Sequence, residues 1–339
     1  MARLLYFSHK PQLKFMQSIR LFIFILFFFP AAAHSQDTLI HKLDSLTKKT
    51  DSAGHQLNNI DPAAYNEETK LTAKTYFILL GSNIKQEFTK PFHMTKKDFG
   101  NLGKFAVVAV GVGLADETIQ KEALRLRNRS ANVQNVGKFI SNFGGLYEAY
   151  TLAAFGAYGI IFKSQKVKTT TLLATQAVIT GGLVESVLKT LTGRLRPNYY
   201  APGVEAEPSF KGPFVNTSRD FAGKRSNSSF PSGHSTVAFA AATVFAVEYK
   251  NKPFIPIIAY SAATLIGLSR ITENKHWATD ILTGAALGYV TGRQISYNYH
   301  RYAKLKAPTQ VKNTVSLDIH YQWGRLMPGI LYTFNKKHA

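Results

Sequence analysis

Three short blocks between residues 189 and 280 hold the side chains of this 339-residue chain whose types and spacing could do chemistry. The first is Lys189, six residues, then Arg196-Pro197; the second is Pro231-Ser232-Gly233-His234; the third is Ser269-Arg270, five residues, His276, three residues, Asp280. Three cations, two histidines and one carboxylate therefore sit at the ends of apolar, helix-like segments. Burying such charge is costly unless an anion pairs with it.

Each block supports an anion site on its own terms. Lys189 offers a point charge and Arg196 a two-pronged planar donor, a complementary pair for a tetrahedral dianion. Taken alone, the first block also fits solvated basic residues after a helix, and Arg194 reads as a residue of that kind. Glu185, four residues before Lys189, shares its helical face and is placed to hold the ammonium. The second block opens a helix, where free N–H groups and the positive dipole end favour an anion. Gly233 lets the backbone come close to it, and Ser232 serves as cap or donor. His234 then lies beside the anion; without Arg196 and Arg270 it would read as a helix-capping histidine.

In the third block His276 and Asp280 are four apart, so one helical face carries both and the carboxylate can fix the ring's tautomer. That is base-plus-orienter logic, with the imidazole itself as nucleophile. A lone pair at this spacing is more often a surface interaction, but its place after Arg270 lifts it. Trp277 reads as an interfacial or core aromatic. Gly284, Gly288 and Gly292 have the small-residue spacing of close helix packing.

The elements that must position these residues are helices. Apolar segments at roughly 105–114, 150–162, 171–191, 236–247, 254–268 and 281–290 alternate with charged loops, which predicts a six-helix bundle and no central sheet. Residues 36–100 are a polar leader of amphipathic helices and loops, with an apolar patch at 75–81. Residues 296–306 are basic and aromatic; alternation at 315–323, a Pro328-Gly329 turn and 330–334 then predict a β-hairpin. The domain organisation is therefore a signal peptide at 1–35, the leader at 36–100, a helical domain at 101–296 and a basic segment with hairpin at 297–339.

Composition narrows the partners. Lys and Arg number 41 against 20 Asp and Glu, so phosphate esters or an acidic membrane surface fit. Nucleic acid does not, because the basic residues are spread along the chain without a binding motif. The absence of cysteine excludes disulfides, thiolate zinc sites and a lipidated N-terminal cysteine. Arg3, Lys10, Lys14 and Arg20 precede an apolar run at 21–29 and then Pro30 and three alanines, the order of a secretory signal cleaved after Ala33 or Ser35. The run is short of the roughly 20 residues of a spanning helix, although a retained anchor is the alternative. Both readings export the body of the protein.

The apolar segments are mostly about 10 to 15 residues long, the length of buried core helices, and the third carries Glu185. A cleaved signal followed by six crossings would also put Lys189 and Arg196 in the cytoplasm, while basic loops fall on both candidate sides. A compact helical domain, exported whole and resting on a membrane, satisfies these observations. The alternative is an integral inner-membrane protein with six spans.

The ordered set of three blocks resembles the type 2 phosphatidic acid phosphatase superfamily, which also contains bacterial acid phosphatases and vanadium haloperoxidases. All three match at their defining positions, and the region from about 105 to 293 is similar in layout; leader and hairpin are not covered. The resemblance implies an all-α six-helix core bundle and a metal-independent, cofactor-free phosphomonoester or lipid pyrophosphate hydrolase. In it, His276 attacks phosphorus to give a phosphohistidine, Asp280 orients it, and His234 protonates the leaving oxygen and later helps activate water. Lys189, Arg196, Arg270 and the Ser232 and Gly233 amides hold the phosphate. A membrane-resting domain favours a phosphorylated lipid as substrate, and a free domain favours small phosphate esters. Leaving-group contacts are expected from 121–138 and 198–227. The site is placed in the periplasm or on the periplasmic face of the envelope membrane. The alternatives are a vanadium-dependent haloperoxidase, revealed by halide oxidation with peroxide and vanadate, a non-catalytic anionic-lipid binder, and transfer of the phosphoryl group to a second alcohol.

Overall fold

Short polar residues set most of the helix starts. Thr72, Thr95, Ser130, Ser164 and Ser232 each accept a first-turn N–H with the side chain, and Thr95 closes a capping box with Asp98. A computed structural model describes residues 71–201, 204–213, 227–306, 314–322 and 325–333. Among them the helices are α1 (Ala73–Thr89), α2 (Lys96–Leu114), α3 (Asp116–Arg129), α4 (Ala131–Ser141), α5 (Leu146–Ile161), α6 (Gln165–Thr192), α7 (Gly233–Glu248), α8 (Phe254–Thr272) and α9 (Ala278–Lys306). Strands β1 (Thr314–Gln322) and β2 (Arg325–Thr333) pair antiparallel, Gln322 opposite Arg325.

The six expected helices correspond to α2 and α5 to α9, all longer than their apolar runs. Three further helices appear. α1 lies in the leader, and α3 and α4 occupy the stretch around 121–138 that had read as a charged loop. α3 is polar but complements its own dipole, with Asp116 and Glu117 in its first turn and Arg127 and Arg129 in its last. α9 runs unbroken through residue 296, where the sequence reading ended the helical domain. Pro328-Gly329, expected as a turn, lies inside β2. The signal peptide at 1–35, leader residues 36–70 and loop residues 214–226 lie outside the described residues.

α7 is the central helix, packed on α6, α8 and α9. Its small side chains allow this: Ala240 and Val244 are fully buried with Leu173, Ala177 and Ile295. The glycine series on α9 lets two backbones touch. A Cβ on Gly284, Gly288 or Gly292 would come within 2.5, 2.3 and 2.5 Å of the carbonyl oxygens of Ser232, Thr236 and Ala240. This close crossing seats the start of α9 beside the start of α7.

α1 runs antiparallel to α9: Thr75 meets Tyr302 (3.5 Å), Asn298 Nδ2 donates to Asn83 Oδ1 (2.7 Å), and Thr291 Oγ1 donates to Glu87 Oε1 (2.8 Å). Residues 72 and 306 therefore lie at one end of the bundle, and the motif-bearing helix ends at the other. Large apolar side chains cover outward faces, among them Val107 and Val110 on α2, Tyr158 and Ile160 on α5, and Ile257 and Leu265 on α8.

A paired substitution isolates the α7–α9 contact. Gly288→Ala must push a Cβ into the backbone of α7 and is expected to lower stability by about 1–3 kcal/mol. Gly182→Ala, which meets nothing within 4 Å, is expected to be neutral or to stabilise by up to about 1 kcal/mol. Thermal unfolding reads both.

Candidate active site

The three blocks converge because α6 and α8 end where α7 and α9 begin. Lys189 lies in the last turn of α6, which Gly193 terminates at φ +55°, its N–H donating to the Lys189 carbonyl (3.0 Å). That left-handed conformation favours glycine, and a Cβ there would strike the Gly212 carbonyl oxygen at 2.5 Å. The chain then folds back over the helix end, carrying Arg194 and Arg196. Glu185 pairs with Lys189 as its spacing predicted. Both press on the start of α7: a Cβ on Gly233 would lie 2.6 Å from Glu185 Oε1 and 3.3 Å from Lys189 Nζ.

Ser232 caps α7, but its own N–H donates to the Asp280 main-chain oxygen (2.9 Å). The Ser232 amide expected on the phosphate is thus committed to tying α7 to α9. Gly233 and His234 are the next amides at this helix start. His234 lies within electrostatic reach of Arg270, His276, Lys189 and Arg196. The connection between α4 and α5 presses on it, since a Cβ on Gly144 would sit 2.8 Å from the Cβ of His234. Arg270 donates through Nη1 to Ser141 Oγ, while its Nε is buried without a hydrogen-bond partner among the described residues.

His276 is 1% exposed. Its Nδ1 lies 2.8 Å from the Ser229 carbonyl oxygen and 3.5 Å from Asp280 Oδ2. A carbonyl can only accept, so Nδ1 carries the proton and Nε2 keeps its lone pair. Burial is the largest influence on this ring and holds its pKa down to about 3. Asp280 opposes that shift, and Arg196 and Lys189 add to it. At neutral pH the imidazole is uncharged, the state a nucleophile needs.

Arg194, read from sequence as a solvated residue, is instead the buried centre of the site. Its Nη2 donates to Asp116 Oδ2 (2.7 Å) and its Nη1 to Asp280 Oδ1 (2.5 Å) and Thr279 Oγ1 (2.7 Å). The guanidinium stacks between Phe210 and Trp277, at 4.9 and 5.6 Å from their ring centres. Trp277 is a core aromatic, fully buried, with its indole N–H on the Leu195 carbonyl (2.9 Å). Asp116, Thr279, Ser229 and Ser141 were not singled out by sequence reasoning. No fixed spacing links them to the motifs; the acidic start of α3 after an apolar run was the one local signal for Asp116.

The assembled site can hold a tetrahedral dianion between Lys189, Arg196, Arg270 and the α7 start, facing a neutral buried imidazole and a second, half-buried histidine. A family model described as the PAP2 superfamily matches residues 170–304, which include every residue of the three blocks. Lipid A 1-phosphatase of Porphyromonas gingivalis is 48% identical over 65 residues, 19% of this chain and 15% of that protein. Phosphatidylglycerophosphatase B of Bacillus subtilis is 31% identical over 191 residues, 54% of this chain and 82% of that protein. The chain belongs to the PAP2 superfamily. A crystal structure of a transmembrane PAP2-type phosphatidylglycerolphosphate phosphatase from Bacillus subtilis aligns at a TM-score of 0.41 and 23% identity, over 62% of this chain and 96% of that one.

Removing the central cation should separate buried from exposed ion pairs. Arg194→Ala strands two buried carboxylates and is expected to cost about 3–5 kcal/mol of stability. Lys121→Ala, which breaks the exposed pair with Glu205, should leave stability nearly unchanged. Denaturant midpoints of the two variants provide the comparison.

Proposed function

We propose that the protein is a lipid phosphate phosphatase that works through a phosphohistidine on His276, with its bundle spanning a membrane. The observation that carries the chemistry is His276: buried, neutral, its Nε2 unprotonated, and set among Lys189, Arg196 and Arg270. In the first step Nε2 attacks phosphorus and the bond from phosphorus to the leaving oxygen breaks, while His234, which takes up a proton as the phosphate dianion binds beside it, gives that proton to the leaving oxygen. In the second, water attacks phosphorus and yields its proton to His234, and the P–N bond breaks to release phosphate. The three cations and the α7 amides balance charge on the non-bridging oxygens in both steps.

The substrate class rests on where the apolar surface ends. Exposed Leu114, Val187 and Leu268 each lie two residues before Asp116, Lys189 and Arg270. A lipid could therefore keep its acyl chains against the outer faces of the helices while its phosphate reaches the site. Relatives named for lipid A and phosphatidylglycerophosphate support a phosphorylated lipid over a soluble ester.

The same exposed faces favour the spanning arrangement over the compact one. α6 and α8, of 28 and 19 residues, are long and apolar enough to cross a membrane by length and composition. The 19 residues of α8 rise about 28 Å, close to the roughly 30 Å of a hydrocarbon core. Spanning brings a constraint. Residue 72 lies at the end away from the site, so a periplasmic site puts residue 72 in the cytoplasm, and a cleaved signal puts the site there instead. Within a spanning bundle an exported residue 72, whether behind a cleaved signal or a retained anchor, and the outward site exclude each other. We assign the site to the outer face. The short turns at the far end, residues 162–164 and 249–253, carry Lys163, Lys250 and Lys252 and no acid, as cytoplasmic turns do. At the site end Lys121 and Arg125 are paired with Glu205 and Glu122.

Two experiments test this reading. Rapid quench in alkaline detergent with a radiolabelled lipid phosphate should trap an alkali-stable, acid-labile phosphoenzyme in the wild type and none in His276→Ala, whose turnover should fall on the order of 10⁴-fold. Unchanged turnover in that variant would sink the mechanism. For the location, the chain has no native cysteine, so single cysteines report cleanly. An impermeant maleimide should label Lys121→Cys in intact spheroplasts and Lys163→Cys only after permeabilisation. The reverse pattern places the site in the cytoplasm, and labelling of both returns the compact exported domain.

A further inference from the structure

We propose that Ser229 is a positioning residue for His276, and that Asp280, with Arg194 and Asp116 behind it, acts on the imidazole through Ser229. The inference deepens the reading of His276 as the nucleophile and rests on it.

Ser229 is fully buried and uses all three of its polar groups on this site. Its N–H donates to the Arg194 carbonyl (3.0 Å), its hydroxyl donates to Asp280 Oδ2 (2.5 Å), and its carbonyl accepts from His276 Nδ1 (2.8 Å). Asp280 is meanwhile occupied. Oδ1 accepts from Arg194 Nη1 at 2.5 Å, and Oδ2 accepts from Ser229 and from the Trp277 N–H at 2.9 Å. At 3.5 Å from Oδ2, His276 Nδ1 is beyond the usual range of such a bond. Asp116 holds Arg194 from the other side and also takes the Thr279 N–H (3.0 Å). The carboxylate thus fixes a frame, and Ser229 is the part of it that touches the ring.

The arrangement has a chemical consequence. A neutral carbonyl fixes the tautomer as well as a carboxylate does, but it draws less positive charge onto the ring. The lone pair on Nε2 stays available before attack. Once phosphorus is bound the ring becomes cationic, and the Asp280 charge nearby then stabilises it. The charged and titratable groups around the ring are Lys189 on α6, Arg194 and Arg196 after it, His234 on α7 and Asp280 on α9.

The test uses the full chain in detergent, labelled with ¹⁵N-histidine, with the His276 signals assigned by His276→Gln. The wild type should show the Nδ1-protonated neutral tautomer. Ser229→Ala should mix in the Nε2-protonated form and slow phosphoenzyme formation by about 100-fold, with KM for the lipid phosphate changed by less than about threefold. Ser229→Thr, which keeps the hydroxyl, should restore both. A wild-type tautomer and rate in Ser229→Ala would overturn the proposal, as would equal losses in Ala and Thr variants that track a lower Tm. If Ser229→Ala does not fold, Arg194→Lys carries the test, since it keeps a cation between Asp116 and Asp280 but loosens the frame. It should shift the tautomer the same way, and an unchanged tautomer counts against the idea. A tautomer shift without any trappable phosphoenzyme in the wild type would remove the nucleophile reading while leaving the positioning role supported.

Discussion

A guanidinium held between two buried carboxylates is the interaction on which the rest of the site depends. Asp116 opens α3, Arg194 follows α6 and Asp280 lies in the first turn of α9, so one contact fixes three distant parts of the chain. Buried ion pairs contribute little net stability compared with apolar packing of the same shape. Their worth here is directional. Two carboxylates, a planar fork and the stacked rings of Phe210 and Trp277 leave Arg194 one orientation. Everything that touches Asp280 inherits it: Ser229, the Trp277 amide and, through them, the ring of His276.

Given that anchor, the directions of the helices distribute charge around the site without further devices. Lys189 and Arg270 sit in the last turns of α6 and α8, where the negative dipole end favours a cation. α7 begins at the same point, with the positive dipole end that favours an anion. Cations supplied by helix ends thus surround a helix start whose dipole favours an anion. The glycine face of α9 is what allows these ends to meet, because it brings α9 onto the backbone of α7.

The parts of this arrangement that sequence could show are those written in local spacing. The pairing of Glu185 with Lys189, the opening of α7 at Ser232, the shared face of His276 and Asp280 and the glycine series all follow from offsets within a turn or two of helix. Arg194 was misjudged because its burial depends on Asp116, 78 residues away, and no periodicity links them. Helix starts were placed late because opening turns such as residues 165–170 of α6 carry no apolar run, although Thr169 and Thr170 are buried there. α3 was passed over for lack of an apolar stripe, although its Glu, Gln, Lys, Ala, Leu and Arg content is that of a strong helix former.

Those buried polar side chains also bear on the setting of the fold. Among the described residues, buried polar and charged side chains outnumber buried apolar ones, while large apolar side chains lie exposed along α2, α5, α6 and α8. The interior polar groups bond one another: Asn83 Nδ2 donates to Gln176 Oε1 (3.0 Å), Asn298 Nδ2 to Asn83 Oδ1 (2.7 Å) and Gln294 Nε2 to the Asn83 carbonyl (3.1 Å). In water such a distribution would expose the surface that drives folding and bury groups that water already satisfies. In a bilayer both terms change sign. Lipid solvates the apolar faces, and helix association then relies on close backbone contact and interhelical hydrogen bonds. In the proposed spanning arrangement, the glycine contact between α7 and α9 and the polar stitching of α1 to α6 and α9 are the same solution to one constraint, the absence of a hydrophobic drive between helices.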